Sequence, residues 1–313
     1  DNGLVEHTFS SLFPKLYRPV FAANLTDRFR MNRARTALGG RPIRKWILYL
    51  WRPHFVSVLD NARYDASFYH IDDEYSFSAT EKSLCDRETA IIKRVNEVFI
   101  TSRALIQKKG HFNPNTTQIP NGVDYATYSN PLPEPDEIKN IPHPRIGYVG
   151  YIKSHLNLEM HVELALKRPD WHFVFHGPIG VLGSMASAAE RLFRLPNVHN
   201  TDDRFGFRGE AHRQHLPAFA QHFDVCLMGY QVDNYTRYIY PLKIHEYLAT
   251  GKPIVSSRIP AAEEFPGVIR VADTVDDWVR QIEASLQPTE QTPEKKAMRQ
   301  SIAREHDWQT LAG

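Results

Sequence analysis

Pro241-Leu242-Lys243-Ile244-His245-Glu246-Tyr247-Leu248-Ala249-Thr250-Gly251-Lys252-Pro253, followed by Ile254-Val255-Ser256-Ser257, is the stretch on which the reading of this chain turns. Ile244 and Leu248 are four apart and mark an inward face, whereas Lys243, Glu246 and Tyr247 share another face at three- and four-residue spacing. Gly251 suits the left-handed position after a helix, and Pro253 cannot extend one. The pattern is therefore helix, stop, strand, with one cation and one carboxylate side by side before the strand. From spacing alone the pair also reads as an exposed ion pair stabilising by about 0.2–0.5 kcal/mol.

The same alternation extends in both directions. Short β-branched or aromatic runs at 46–50, 67–71, 98–101 and 117–120, and again at 145–149, 172–176, 225–228, 254–257 and 268–271, alternate with helical patterns. Parallel strands joined by crossover helices give this signature. A helix over 79–95 carries its apolar stripe on Leu84, Ala90, Ile91 and Val95. Between Asn130 and Pro144 the composition changes, with Pro131, Pro133, Pro135, Pro142 and Pro144 interleaved with Glu134, Asp136 and Glu137. This reads as a semi-rigid linker. The expected organisation is α/β, with doubly wound domains at 1–142 and 143–296 and a final helix, 297–313, crossing back to the first.

Composition narrows the function. The 313 residues, 42% hydrophobic and 24% charged, suffice for about two cored domains. Lys+Arg 38 against Asp+Glu 36 leaves a net charge of +2, which gives no field for gripping a nucleic-acid backbone. Cys85 and Cys226 are the only cysteines, so a disulfide framework and a cysteine zinc site are excluded and a reducing, cytoplasmic setting is expected. No apolar run reaches the roughly 20 residues of a spanning helix. The start at Asp1, without Met or a signal-like segment, suggests a processed or partial chain.

The motif P-L-K-x-x-E-Y-L-A-x-G-K-P followed by I-V-S-S resembles the donor site of GT-B glycosyltransferases, close to the retaining family-4, or glycosyl transferases group 1, type. Tyr69-His70-Ile71-Asp72-Asp73-Glu74-Tyr75-Ser76, Phe99-Ile100-Thr101-Ser102, Ile119-Pro120-Asn121-Gly122-Val123-Asp124, Ile146-Gly147-Tyr148-Val149-Gly150 and His306-Asp307-Trp308 resemble further landmarks in the family's order. The resemblance implies two Rossmann-like domains, the amino-terminal one incomplete because its first strand and glycine-bearing turn are not evident. It also implies transfer of a sugar from a nucleotide-diphosphate donor to an acceptor hydroxyl, with retention, in polysaccharide or glycoconjugate assembly. No metal or other cofactor is expected.

Chemistry supports the carry-over. A departing diphosphate accumulates negative charge, which cations, backbone N–H groups and helix N-termini stabilise. Lys243 and the Gly147/Gly150 turn suit that task, and Lys153 occupies the family's basic position after the turn, although it also reads as a solvated loop lysine. Glu246 matches the carboxylate that accepts hydrogen bonds from the ribose hydroxyls, with Tyr247 beside it. The family's second glutamate, eight residues earlier, is replaced by Tyr238. Arg237 and Tyr240 in the same loop are candidates to take over its contact with the donor sugar.

In the first domain Asp72, Asp73 and Glu74 follow a strand, where ligands of open α/β sheets bind. They are candidates to orient the acceptor hydroxyl, with His70 as an alternative base. Helix capping is the competing reading, and the Asp72/Glu74 spacing also mimics a D-x-D metal motif. From Lys15 to Lys45 the basic residues are Lys15, Arg18, Arg28, Arg30, Arg33, Arg35, Arg41, Arg44 and Lys45 against Asp27, with Phe13, Leu16, Tyr17, Phe21, Phe29 and Met31 interleaved. This is either a solvated charged helix or a surface for anionic lipid or a phosphorylated acceptor. The expected partners are a nucleotide sugar and a saccharide or lipid-linked acceptor, with peripheral contact on the inner membrane face and no nucleic acid. The rival functions are a non-catalytic sugar-nucleotide-binding or scaffold subunit, and an epimerase or phosphorylase on the same architecture.

Overall fold

The computed structural model describes residues 20–37, 45–77, 85–201 and 209–312, and the chain divides into two compact units, Asp1–Ile119 and Pro120–Gly313. Lys15, Arg18, Arg41, Arg44, Phe13, Leu16 and Tyr17 of the basic stretch, the side chain of Arg35, and the first part of the helix expected at 79–95 lie outside the described residues.

The first unit runs α1 (Val20–Ala37), β1 (Ile47–Leu50), α2 (Val58–Asn61), β2 (Ala66–Ile71), α3 (Cys85–Arg94), β3 (Glu97–Ile100), α4 (Arg103–Lys109) and β4 (Thr116–Gln118). Its four strands are parallel in the order β1-β2-β3-β4. Along β2 the buried residues alternate, Ser67, Tyr69 and Ile71 pointing to the core, as a two-residue period requires. Ser102 caps α4 by accepting from Leu105 N at 3.2 Å.

The second unit runs α5 (Tyr125–Ser129), β5 (Arg145–Val149), α6 (Leu158–Lys167), β6 (His172–His176), α7 (Ala186–Leu192), β7 (Val198–Asn200), α8 (Gly209–Gln221), β8 (Val225–Met228), α9 (Lys243–Thr250), β9 (Ile254–Ser257), α10 (Pro260–Glu263), β10 (Ile269–Ala272), α11 (Val275–Leu286), α12 (Pro293–Glu305) and α13 (Trp308–Ala312). Its six parallel strands are ordered β10-β9-β8-β5-β6-β7. Every residue of β5, β8 and β9 is buried, as expected of strands covered on both faces.

The division between units differs from the one expected at 142/143. The proline-rich strip is held to the second unit: Leu132 N donates to Gln221 Oε1 at 2.9 Å, Leu132 O lies 3.0 Å from His222 Nε2, and Arg145, itself buried, pairs with Glu134. A strip whose few main-chain polar groups are met by one unit behaves as part of that unit. At the other end of the chain, α12 packs on α9, Arg299 Nη1 donating to Gly251 O at 3.2 Å and Gln300 Nε2 to Ala249 O at 3.0 Å. Beyond it Trp308 N donates to Val123 O at 3.0 Å and Asp307 Oδ2 accepts from Tyr125 N at 3.1 Å. These contacts tie the last helices to residues 120–129, which belong to the second unit.

Candidate functional site

In the second unit the chain leaves β5 in one direction through β6 and β7 and later in the other through β8, β9 and β10. Neighbouring crossovers diverge at such a strand, so a crevice opens beyond its carboxyl end. Gly150 occupies that position. Its φ of +128° is one that L side chains rarely adopt, its N–H donates to His176 O at 2.8 Å, and a Cβ built on it would stand 2.5 Å from Lys243 Nζ. Behind it Gly177 has φ +140°, and a Cβ there would be 2.4 Å from Gly150 O. Two main-chain turns thus pack with no side chain between them.

Lys243, the first residue of α9, lays its ammonium on this turn and 5.0 Å from the centroid of the Tyr148 ring. One turn further along, Glu246 accepts a hydrogen bond from the Tyr128 hydroxyl. Burial pushes the Glu246 carboxyl up, while Lys243 and Tyr128 draw it back down. The ammonium and carboxylate expected on one helix face are therefore neighbours at the crevice. Lys153 also belongs to the loop after β5, its Nζ 4.5 Å from the Tyr151 ring centroid.

Other expected site residues sit differently. Tyr247 does not share the open face: it is buried, and its hydroxyl accepts from Val149 N at 2.9 Å, which supports the Gly150 turn from within the core. Tyr240 is also buried; its hydroxyl lies 3.0 Å from His245 Nε2, so it packs under α9 instead of reaching into the loop. His245 in turn stacks on His306 at 3.9 Å, and burial pushes its pKa down to about 3. Arg237 is exposed on the rim of a cleft of about 520 Å³ that Asp233, Thr236, Arg258 and Ile259 also line.

In the first unit the acidic trio does not act as a group. Asp72 is paired with Arg52 at 2.9 Å and accepts from the Tyr75 hydroxyl. Asp73 Oδ1 accepts from Glu74 N at 2.7 Å, a turn-forming bond. Glu74 is buried, held by Lys108 at 2.8 Å and Lys109 at 3.3 Å, with Lys109 also bonded to buried Glu88. Glu74 therefore does not face a cleft, because its two lysines neutralise it inside the unit. Among the described residues no group of three or more potential metal ligands forms. His70 Nδ1 lies 2.5 Å from the Tyr49 hydroxyl, its Nε2 is buried without a hydrogen-bond partner among the described residues, and burial lowers its pKa while Asp72 raises it.

Two residues at the crevice were not anticipated from sequence. Tyr128 reaches Glu246 from a helix far upstream and leaves no local signal. His155 follows Lys153 in the same loop and was one histidine among 15.

Residues 143–287 match the family described as Glycosyl transferases group 1. The matched stretch lies within the unit that carries Gly150, Lys243 and Glu246. The chain is 32% identical over 245 residues to the Bacillus subtilis (strain 168) protein named "Putative teichuronic acid biosynthesis glycosyltransferase TuaH". That alignment covers 74% of this chain and 58% of the relative, so the chain spans less than two thirds of TuaH. Among solved structures, sucrose-phosphate synthase from Thermosynechococcus elongatus matches with a TM-score of 0.70 at 16% identity, covering 100% of this chain and 83% of that one. Anabaena Alr3699/HepE in complex with UDP matches with a TM-score of 0.66 at 16% identity, covering 84% of this chain and 76% of that one. The fold is GT-B.

Proposed function

We propose that the chain is a glycosyltransferase that moves a sugar from a UDP-sugar to an acceptor hydroxyl, with retention and without a metal ion, in the assembly of a bacterial polysaccharide or glycoconjugate. The observation that carries this reading is the Lys243 ammonium seated on the side-chain-free Gly150 turn at the sheet's switch point, with Glu246 one turn along the same helix. The relative's name supports polysaccharide assembly, and the UDP in the HepE complex supports the choice of base. In this reading Glu246 accepts from the ribose hydroxyls and displaces the Tyr128 hydroxyl to do so. Lys243, seated on the Gly150 turn, stabilises the diphosphate as the glycosidic bond breaks. His70, near the carboxyl end of β2, and Asp72 and Asp73, just beyond that end, orient the acceptor hydroxyl.

The acceptor is a saccharide, free or lipid-linked. Support for peripheral contact with an anionic membrane is the exposure of Phe21, Leu25 and Phe29 at four-residue spacing on α1, whose described charged residues Arg28, Arg30 and Arg33 outnumber Asp27. No helix among the described residues is long and apolar enough to cross a membrane. Incubation with a panel of UDP- and GDP-sugars, reading UDP or GDP release with and without oligosaccharide acceptors, tests the function. Release that depends on an acceptor is expected; tight binding of UDP without any release would make the chain a binding subunit instead.

A further inference from the structure

The loop that leaves β5 carries a third base beside the two lysines. The His155 ring lies against Tyr230 with centroids 5.6 Å apart. Its main chain is fixed on the same side: Gln231 N donates to His155 O at 2.8 Å, and Leu156 pairs with Tyr230 in an isolated antiparallel bridge. The amino end of α6 follows directly, where Asn157 Oδ1 accepts from Met160 N at 3.1 Å. The charges that act on the ring are Lys243 from α9, Lys153 from its own loop and, opposing them, Asp233 from the loop after β8. Among the described residues neither ring nitrogen has a hydrogen-bond partner.

The two lysines oppose protonation of the ring, and an anion among the three removes that opposition. Burial first, then the two lysines, push the His155 pKa down to about 4, so the ring is neutral near pH 7 in the free protein. A nucleotide diphosphate brings the opposite charge to the same turn.

We propose that His155 is a proton-accepting member of the diphosphate site: when a nucleoside diphosphate binds, the imidazole takes one proton from solvent and, as imidazolium, donates an N–H to a phosphate oxygen. The inference rests on the nucleotide-diphosphate reading above. One proton moves from bulk water to the ring, and no other bond changes. A nucleotide-diphosphate sugar carries two negative charges, which Lys243 and Lys153 match. Breaking the glycosidic bond leaves a third negative charge on the departing diphosphate, and the imidazolium matches that one.

Linkage fixes the sign. Because the ligand prefers the protonated ring, its affinity falls as pH rises from the ring's free value towards its bound value. Calorimetric titration of UDP into the full chain, in two buffers of different ionisation enthalpy at about pH 7, counts the protons taken up. The count is taken for wild type and for His155→Gln, and the difference cancels the protonation of UDP itself. Wild type is expected to take up a substantial fraction of one proton more than the variant and to bind UDP roughly tenfold tighter, with uridine affinity the same in both. His155→Lys, whose charge is permanent, should restore UDP affinity without the uptake. Equal proton counts in wild type and His155→Gln, or a parallel loss of uridine and UDP in the variant, would overturn the role of His155 while leaving the nucleotide reading intact. Failure of wild type to bind UDP or GDP would overturn both.

Discussion

Replacing Gly150 by alanine tests the geometry of the crevice directly. The new Cβ would stand 2.5 Å from Lys243 Nζ and 2.9 Å from its Cε, and it would be attached to a residue held at φ +128°. The backbone strain costs about 1–3 kcal/mol, so the midpoint of that range lowers the melting temperature of a domain of this size by roughly 4–8 °C. The contact itself costs little stability, because the ammonium is the free end of a flexible stem and swings away. Its absence from the turn is the functional effect: a charge-assisted hydrogen bond to phosphate of about 1.5–3 kcal/mol is lost, roughly 10–150-fold in UDP affinity. Lys243→Met should lose as much affinity without the drop in melting temperature. The double variant should bind UDP no more weakly than Lys243→Met alone, since both changes remove the same ammonium. Calorimetry and thermal melts on the four proteins complete the cycle. UDP affinity of Gly150→Ala within about twofold of wild type, alongside a lowered melting temperature, would refute the placement of Lys243 at the phosphates.

Three further outcomes are expected. Glu246→Ala should weaken UDP binding by about 1.5–3 kcal/mol while leaving the fold intact, and unchanged calorimetric affinity would reassign that carboxylate to Tyr128 alone. Turnover should persist in EDTA because Lys243 and main-chain donors act where a metal would; loss of activity restored by Mn²⁺ or Mg²⁺ would reverse this. Stability should fall with acid: buried His161 has its pKa pushed down from 6.5 to about 4, so the unfolded chain binds its proton first as pH drops below 6.5. That contribution is complete above pH 6.5 and is lost by up to about 1.4 kcal/mol per pH unit down to about pH 4, and urea unfolding of His161→Asn across this range should show a slope smaller by one proton.

What the sequence made legible was local. The runs at 145–149, 172–176, 225–228 and 254–257 coincide with β5, β6, β8 and β9, because strands buried on both faces read as continuous apolar runs with clear stops. β7 escaped notice: Val198–Asn200 is three residues long, and only Val198 of the three is buried. Helix periodicity put Lys243 and Glu246 on one face, and the same periodicity misplaced Tyr247, whose ring turns inward to meet Val149 N. Partners distant in the chain were not legible. Composition marked the prolines between 130 and 144 as a spacer, but nothing local revealed that Gln221, His222 and Arg145 hold the strip. Glu74 read as an acid on the ligand side of the sheet for the same reason, because the lysines that hold it inside the unit lie on α4.

The clasp between residues 123–125 and 306–308 has a bearing on biosynthesis. Tyr125 and Asp307 are 182 residues apart in the chain, which at about 5–20 residues per second separates their emergence from the ribosome by roughly 10–40 s. During that interval the six strands of the second sheet are all made, yet the carbonyls of Ala249 and Gly251 at the end of α9 still await Gln300 and Arg299, 51 and 48 residues further on. The helix that carries Lys243 and Glu246 is thus secured only after the sheet beneath it is complete. A nascent chain passes through a stage with a finished sheet and an unfastened α9, and the last helices, which supply none of the crevice side chains, decide when that stage ends.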